Sequence, residues 1–134
     1  MPVDGRCVVE ETNGRVFAAG DATDFPVKHG GIGAQQADTA AAGIAHLAGA
    51  VDRPPPLKPV IRCMLLTGDR PLYFVAHVMA GLGWSSEVYE QPPWPAEHKV
   101  VAEELGPYLA RLDACGAAAQ QLVGTGPEPR DRRS

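Results

Sequence analysis

A carboxylate and a glycine-rich helix start lie close together in the first third of the chain and could bind a ligand between them. Asp21 follows Gly20 and the short apolar run Val16–Ala19. We interpret this run as a buried strand, so that Asp21 stands at its carboxyl end, where open α/β sheets bind ligands. Gly20 lacks a Cβ and lets a ligand or another backbone come close. Gly20–Asp21 is also compatible with an ordinary turn.

The second half of this arrangement is a group of glycines that leads into an alanine-rich helix. Gly30, Gly31 and Gly33 surround Ile32, where we expect the helix to begin. The start of a helix presents backbone N–H groups and the positive end of the helix dipole. A carboxylate beside such a helix start suits a ligand that carries both hydroxyl groups and an electron-rich ring edge.

These residues carry a family resemblance. The segment 16–24, VFAAGDATD, resembles the second flavin-binding motif of flavoproteins with two dinucleotide-binding domains. Its continuation, FPVKHGGIGAQQAD at 25–38, is similar to the branch that holds sulfide:quinone oxidoreductases, flavocytochrome c sulfide dehydrogenases and type II NADH dehydrogenases. Looser likenesses are PVIRCMLLTG at 59–68, PPWP at 92–95 and GPYL at 106–109. The resemblance covers roughly residues 2–112.

The resemblance implies a set of FAD contacts. The Asp21 carboxylate would hold a ribityl hydroxyl, and backbone N–H groups from Gly30 to Ala34 would face the pyrimidine edge of the flavin ring. Lys28 and Gln35 would lie near the ring or the quinone mouth. For Lys28 the alternative is a solvated loop lysine, and for Gln35 a hydrogen bond to a neighbouring loop. The implied cofactor-binding residues are Gly20, Asp21, Lys28, Gly30, Gly31, Ile32, Ala34 and Gln35. Catalytic residues are not assigned.

The chain departs from this family in one large respect. The family's N-terminal Gly-x-Gly-x-x-Gly fingerprint and its second, nicotinamide-binding copy do not occur in the sequence. We therefore expect the C-terminal part of an oxidoreductase that passes electrons from NAD(P)H or sulfide through FAD to a quinone-like acceptor. The missing N-terminal half or a partner chain would complete it. The chain alone is expected to bind FAD weakly or not at all and to be inactive. The alternative is a cofactor-free dimerisation or protein-binding module, with a homodimer formed through an apolar hairpin.

Composition and residue spacing argue against several other classes of function and site. A net charge of −4 argues against a nucleic-acid partner. The three cysteines are far apart and lack a Cys-x-x-Cys pair, and the four histidines are scattered, which disfavours a disulfide framework and a metal site. No signal peptide or membrane-length apolar run is present, so a cytoplasmic location is expected. Basic residues do not cluster with Trp84, Trp94, Tyr73 and Phe74, so these aromatics indicate core or dimer contacts rather than membrane association.

The expected fold class is α+β or α/β, as a fragment of an FAD/NAD(P)-binding fold. A buried strand precedes an alanine-rich helix, and a mainly antiparallel hairpin and a C-terminal helix follow. The expected divisions are 1–51 for the FAD-domain piece, 52–59 for a proline-rich connector, 60–122 for a capping or dimerisation region, and 123–134 for a disordered tail.

Two elements near the start are predicted from local patterns. A helix over 32–50 should bury an apolar stripe, formed by Gly33, Ala37, Ala40, Ile44, Leu47 and Val51. Thr12–Gly14 is a strong turn signal, so Cys7–Val9 could pair with the Val16 strand as a small hairpin. The family resemblance instead places Val16–Ala19 in a parallel sheet.

The second half of the chain is predicted to hold a hairpin and a helix. Strands at 60–66 and 72–79 flank a turn at 67–71, although the second run is also compatible with a helix. Residues 81–86 are expected to be flexible, with a short strand at Glu87–Tyr89. The last helix should open at Ala96 or Glu97 and be kinked or divided by Pro107.

Overall fold

A computed structural model describes residues 1–79, 83–95 and 100–123 of the chain. After a 3₁₀ turn at Gly20–Ala22 come helix α1 (Gly30–Leu47), strands β1 (Val60–Leu65), β2 (Leu72–Met79) and β3 (Gly83–Tyr89), and helix α2 (Leu105–Val123). Two helices and a three-stranded antiparallel sheet confirm the α+β class in its general form. The predicted FAD-binding fold and the predicted domain divisions stay predictions.

The sheet has the order β1-β2-β3, and both pairs of strands are antiparallel. In the first pair Val60 lies opposite His77 and Leu65 opposite Leu72, so the predicted hairpin is confirmed and the helical alternative for β2 is wrong. β3 begins at Gly83, four residues before the predicted short strand at Glu87. Residues 83–86, predicted to be flexible, are therefore part of the ladder, because β2 is long enough to pair with them. Residues 80–82 lie outside the described residues.

The predicted buried strand at Val16–Ala19 is wrong. Only Phe17 forms a bridge there, an isolated antiparallel one with Val8, and Val16 is 46% exposed. A strand needs neighbours for its backbone groups, and the described chain supplies only the segment around Val8. The hairpin alternative is confirmed in this reduced form, since the Val9 amide donates to the Val16 carbonyl at 2.9 Å.

The turn of this hairpin matches its sequence signal. Asn13 and Gly14 have φ values of 53° and 74°, and the Arg15 amide donates to the Thr12 carbonyl at 3.2 Å. Two successive residues with positive φ are the signature of a tight hairpin turn, and Asn-Gly is the preferred pair for it. The turn therefore returns the chain so that Phe17 reaches the Val8 segment.

The buried face of helix α1 shares only Ala40 with the predicted stripe. Its buried residues are Ile32, Gln35, Gln36, Ala40 and Gly43, whereas Ile44 and Leu47 of the predicted stripe are 56% and 60% exposed. The stripe was wrong because the helix is held by glutamine side chains and by glycines that admit close neighbours, features that a hydrophobic period does not detect. The helix ends at Leu47, and Gly49 follows with φ at 74°, as expected of a residue just past a helix.

Helix α2 follows residues 100–104, which were predicted to be helical and are not. It begins at Leu105, so Pro107 lies in the first turn. A proline there lacks an N–H that would have no intrahelical acceptor in any case, and it introduces no break. Pro107 therefore does not kink α2, whereas the alternative of a divided helix depends on residues 96–99, which lie outside the described residues. The predicted start at 96 or 97 and the predicted tail from 124 lie outside the described residues. Across the described ranges, neither helix combines the length and apolar character that crossing a bilayer requires.

One face of the sheet is covered by an aromatic residue from the segment after β3. Trp94 is 8% exposed. Its ring packs edge-on against Tyr73, with 6.1 Å between ring centroids, and the Arg62 guanidinium lies 5.7 Å from the Trp94 ring centroid. Trp94 is therefore a core residue, which agrees with the core interpretation of this side chain, whereas Tyr73 is half-buried. The side chain of Trp84 lies outside the described part of the chain.

Candidate functional site

Two glycines of α1 seat the segment that carries Asp21. A Cβ on Gly33 would lie 3.3 Å from the Cα of Gly20. A Cβ on Gly43 would lie 2.5 Å from Cε1 of Phe17. Because both positions are glycine, residues 17–20 can lie directly along the helix. The close approach expected at Gly20 is thus found, with a helix backbone as the neighbour.

A buried polar network fixes the turn at Gly20. Gln36 Oε1 accepts the Gly20 N–H at 2.7 Å, and its Nε2 lies 3.4 Å from Thr23 Oγ1. The Thr23 hydroxyl donates to the Gly20 carbonyl at 2.9 Å, and it accepts the Phe25 N–H at 3.3 Å. Both polar side chains are buried. Sequence reasoning missed them.

Asp21 lies in the 3₁₀ turn next to the start of α1. Its side chain is exposed, and no hydrogen bond or ion pair to its carboxylate occurs among the described residues. Gly20 before it has φ at 70°, a conformation that L side chains rarely adopt. The turn therefore presents a carboxylate with free acceptor capacity, although not at the end of a strand.

Lys28 folds back over this turn. Its ammonium donates to the Thr23 carbonyl at 2.6 Å, and the Asp21 carbonyl lies 3.4 Å away. The positive charge is thus held within the loop that carries Asp21 and beside the helix start. In this position it can offset negative charge on a ligand, and it also tightens the loop. Either function requires it to stay close to Asp21.

The start of α1 is capped by a histidine that the sequence presents only as a loop residue. His29 Nδ1 accepts the Gly31 N–H at 3.1 Å. The His29 carbonyl accepts the amides of Ile32 and Gly33 at 2.9 and 3.0 Å. The predicted donors of the 30–34 segment are therefore partly engaged inside the chain. A ligand that uses the Gly31 N–H has to displace the imidazole ring.

Gln35 ties α1 to the sheet. Its Nε2 donates to the carbonyls of Gly31 and Val60, both at 2.8 Å, and its Oε1 accepts the Val60 N–H at 3.0 Å. Every hydrogen-bonding group of this amide except one lone pair is thereby used. This geometry agrees with the alternative in which Gln35 bonds a neighbouring segment. The flavin or quinone contact stays a prediction.

A cavity of about 630 Å³ opens on the other side of Gln35. It is lined by α1, by Arg62 of β1 and by the segment that leads into α2. Asp38 at its edge accepts the Glu103 N–H on Oδ2 at 2.6 Å, which holds that segment against α1. The surface of the lining is mainly apolar, and the charged residues Asp38, Arg62 and Glu103 also line it.

The thiols do not form a redox pair in the described structure. Cys7 is buried and Cys63 half-buried, and both are free. Burial, with a smaller contribution from the Asp4 charge, raises the pKa of the Cys7 thiol from 9.0 to about 11. A thiol in that state is a poor nucleophile. Within the described ranges, no group of three or more His, Cys, Asp or Glu side chains is placed to hold a metal ion.

Comparison with protein-family models, with curated proteins and with solved structures gives no significant match. What the site can do therefore has to be argued from its geometry.

Proposed function

We propose that the chain is the C-terminal part of an FAD-dependent oxidoreductase of the pyridine nucleotide-disulfide type. In the complete protein, electrons would pass from NAD(P)H or sulfide through FAD to a quinone-like acceptor. This chain contributes flavin contacts, and on its own it binds FAD weakly or not at all and does not turn over. The proposal starts from the resemblance of residues 16–38 to the second flavin-binding motif.

The observation that carries the proposal is the free carboxylate of Asp21, fixed beside the start of α1. Gly33 lets the Gly20 turn approach the helix, and the buried Gln36 amide bonds the Gly20 N–H. Asp21 is therefore positioned by residues that themselves belong to the motif. A carboxylate without a protein donor among the described residues is suited to accept the hydroxyls of a ribityl chain.

The other predicted cofactor-binding residues partly suit a negatively charged edge of the flavin ring. Lys28 lies beside Asp21 and adds positive charge, and a helix N-terminus contributes about 0.3–1 kcal/mol toward negative charge. The His29 ring competes for the Gly31 N–H, which supports weak binding by the isolated chain. FAD would supply the redox chemistry when bound. In this proposal the chain's own residues have two roles: Asp21 accepts a hydrogen bond from a ribityl hydroxyl, and Lys28 and the start of α1 supply a positive potential at the ring edge.

The test is a titration of the purified chain with FAD, followed by flavin fluorescence. Asp21→Ala is compared with Asp69→Ala, which makes the same charge change in the exposed β1–β2 turn. A lost charge-assisted hydrogen bond is worth about 1.5–3 kcal/mol, so we expect Asp21→Ala to weaken binding at least about tenfold. Asp69→Ala should bind as the parent chain does. Equal affinities for all three chains would contradict the role of Asp21.

A second function is favoured by one separate observation. The register puts Leu65 and Val88 on the same face of the sheet as Phe74, and the first two are exposed. An apolar sheet face is a surface for a second copy or another protein. If a folded chain binds no FAD and sediments as a dimer, the result favours the second function, a cofactor-free dimerisation or protein-binding module. A reading frame upstream of Met1 that encodes Gly-x-Gly-x-x-Gly would instead favour the flavoprotein.

A further inference from the structure

A small pocket lies at the opposite end of α1 from Asp21. Three segments meet there: the N-terminal turn, the last turns of α1 and the start of the proline-rich connector. The pocket has a volume of about 200 Å³, and its lining includes Arg6, Phe17, His46, Leu47, Arg53 and Pro54. Since α1 has 18 residues and a helix rises about 1.5 Å per residue, the pocket is separate from the site at Gly20.

Among the described residues, the charged side chains that line this pocket are all basic, and the Asp4 carboxylate next to them accepts the backbone N–H groups of Arg6 and Val8. Arg6 and Arg53 line it together with His46, and no carboxylate is among the described residues that line it. In the described part of the chain, neither arginine forms a salt bridge. Two guanidinium groups near each other repel unless an anion lies between them. Both arginines line this one pocket in a chain of net charge −4, which points to an anionic ligand.

Two of the three basic side chains, those of Arg6 and His46, are held in place by backbone carbonyls. The Arg6 Nε donates to the Pro54 carbonyl at 2.9 Å, and the Arg6 N–H donates to Asp4 Oδ1 at 2.8 Å. The guanidinium thus keeps its two terminal nitrogens for another acceptor. His46 Nδ1 donates to the Val51 carbonyl at 3.1 Å, since a carbonyl can only accept. A pre-positioned fork loses less entropy when an oxyanion binds.

The floor of the pocket is apolar. The Phe17 ring packs against Gly43, where a Cβ would lie 2.5 Å from the ring, and Leu47 lies beside it. We propose that this pocket binds a small organic carboxylate. Its carboxylate would lie between Arg6 and Arg53, and its apolar body would contact Phe17 and Leu47. This proposal does not depend on the flavin assignment.

The experiment is a titration of the full chain with benzoate, followed by amide chemical shifts in NMR spectra, with inorganic phosphate as the second probe. We expect saturable benzoate shifts confined to the residues around Gly14, Gly43 and Pro54. Arg6→Gln and Arg53→Gln should each weaken benzoate binding about tenfold, since one charge-assisted hydrogen bond is removed at a partly exposed site. Arg70→Gln, with the same charge change in an exposed turn, should have no effect.

Two results would overturn the proposal. Benzoate shifts that do not saturate, or that are equal in the Arg53→Gln and Arg70→Gln chains, would show only a general response to ionic strength. Phosphate that binds as tightly as benzoate would remove the role of the apolar floor. Arg53 is exposed, so its variant stays informative even if Arg6→Gln loses the bond to Pro54 and unfolds.

Discussion

Replacing Gln36 with Met tests whether the buried amide holds the Gly20 turn in place. Methionine has nearly the same length and no amide, so the change removes the acceptor of the Gly20 N–H, now at 2.7 Å, and the donor to Thr23 Oγ1. Gln36 is 2% exposed, and a methionine there leaves the packing largely unchanged. The result therefore reports on the hydrogen bonds.

The size of the effect follows from where the orphaned donor lies. A buried donor left without a partner costs about 1–3 kcal/mol. Gly20 is half-buried, so water can reach it and the cost falls at the lower end, about 1 kcal/mol. For a chain of this length that corresponds to a loss of about 4 °C in melting temperature. The local turn should open roughly fivefold more often.

Thermal melting and amide hydrogen exchange measure the two consequences separately. We expect the Gly20 and Thr23 amides to exchange several times faster in Gln36→Met, while the amides of β1 and β2 change little. Gln91→Met is the matched control, because Gln91 is exposed and should leave both readouts unchanged. Gln35→Met should lower stability through the lost Val60 bonds but leave Gly20 exchange as it was. If the Gly20 amide exchanges at the same rate in Gln36→Met as in the parent chain, the Gln36 amide does not hold this turn in place.

Two further predictions concern packing and titration. Gly43→Ala should destabilise the fold by about 1–3 kcal/mol, because the new Cβ meets the Phe17 ring at 2.5 Å; Gly30→Ala, with nothing within 4 Å, should be neutral in the same urea titration. The folded Cys7 thiol keeps its proton up to about pH 11, whereas in the unfolded chain it ionises near 9.0. Its stabilisation is therefore present below pH 9 and lost as pH rises toward 11, about 2–3 kcal/mol in all. Urea midpoints of Cys7→Ala should fall less over that range, and identical pH profiles would contradict the burial of the thiol.

Local patterns predicted the parts of the fold that local forces decide. The Asn13–Gly14 turn and the β1–β2 hairpin follow from turn chemistry and from runs of β-favouring residues, and both were confirmed. The buried face of α1 and the start of α2 were not predicted. The first depends on side-chain amides that bond distant backbone groups, and the second on the tolerance of Pro107 in a first helical turn.

In the candidate site, too, some features follow from local sequence and others depend on contacts with distant segments. Asp21 and the glycines were proposed as site residues from residue type and order alone, and their role in binding stays a prediction. Gln35 and Gln36 are adjacent and chemically identical, yet the first bonds Val60 of the sheet and the second bonds Gly20 of the turn. Successive residues on a helix point about 100° apart, so two such neighbours contact different segments. No property of the pair in the sequence assigns one to each partner.

This pair gives α1 its function in the site. Gln36 fixes the turn that presents Asp21, while Gln35 fixes the sheet that extends from Val60, so both bonds start from one rigid helix. The Gln35–Val60 bonds are one link through which a change in the sheet can reach α1 and the turn that carries Asp21. If the chain does contribute a flavin contact, its precision therefore depends on two amides that need not touch the flavin. Removing either one tests the positioning separately from the contact made by Asp21.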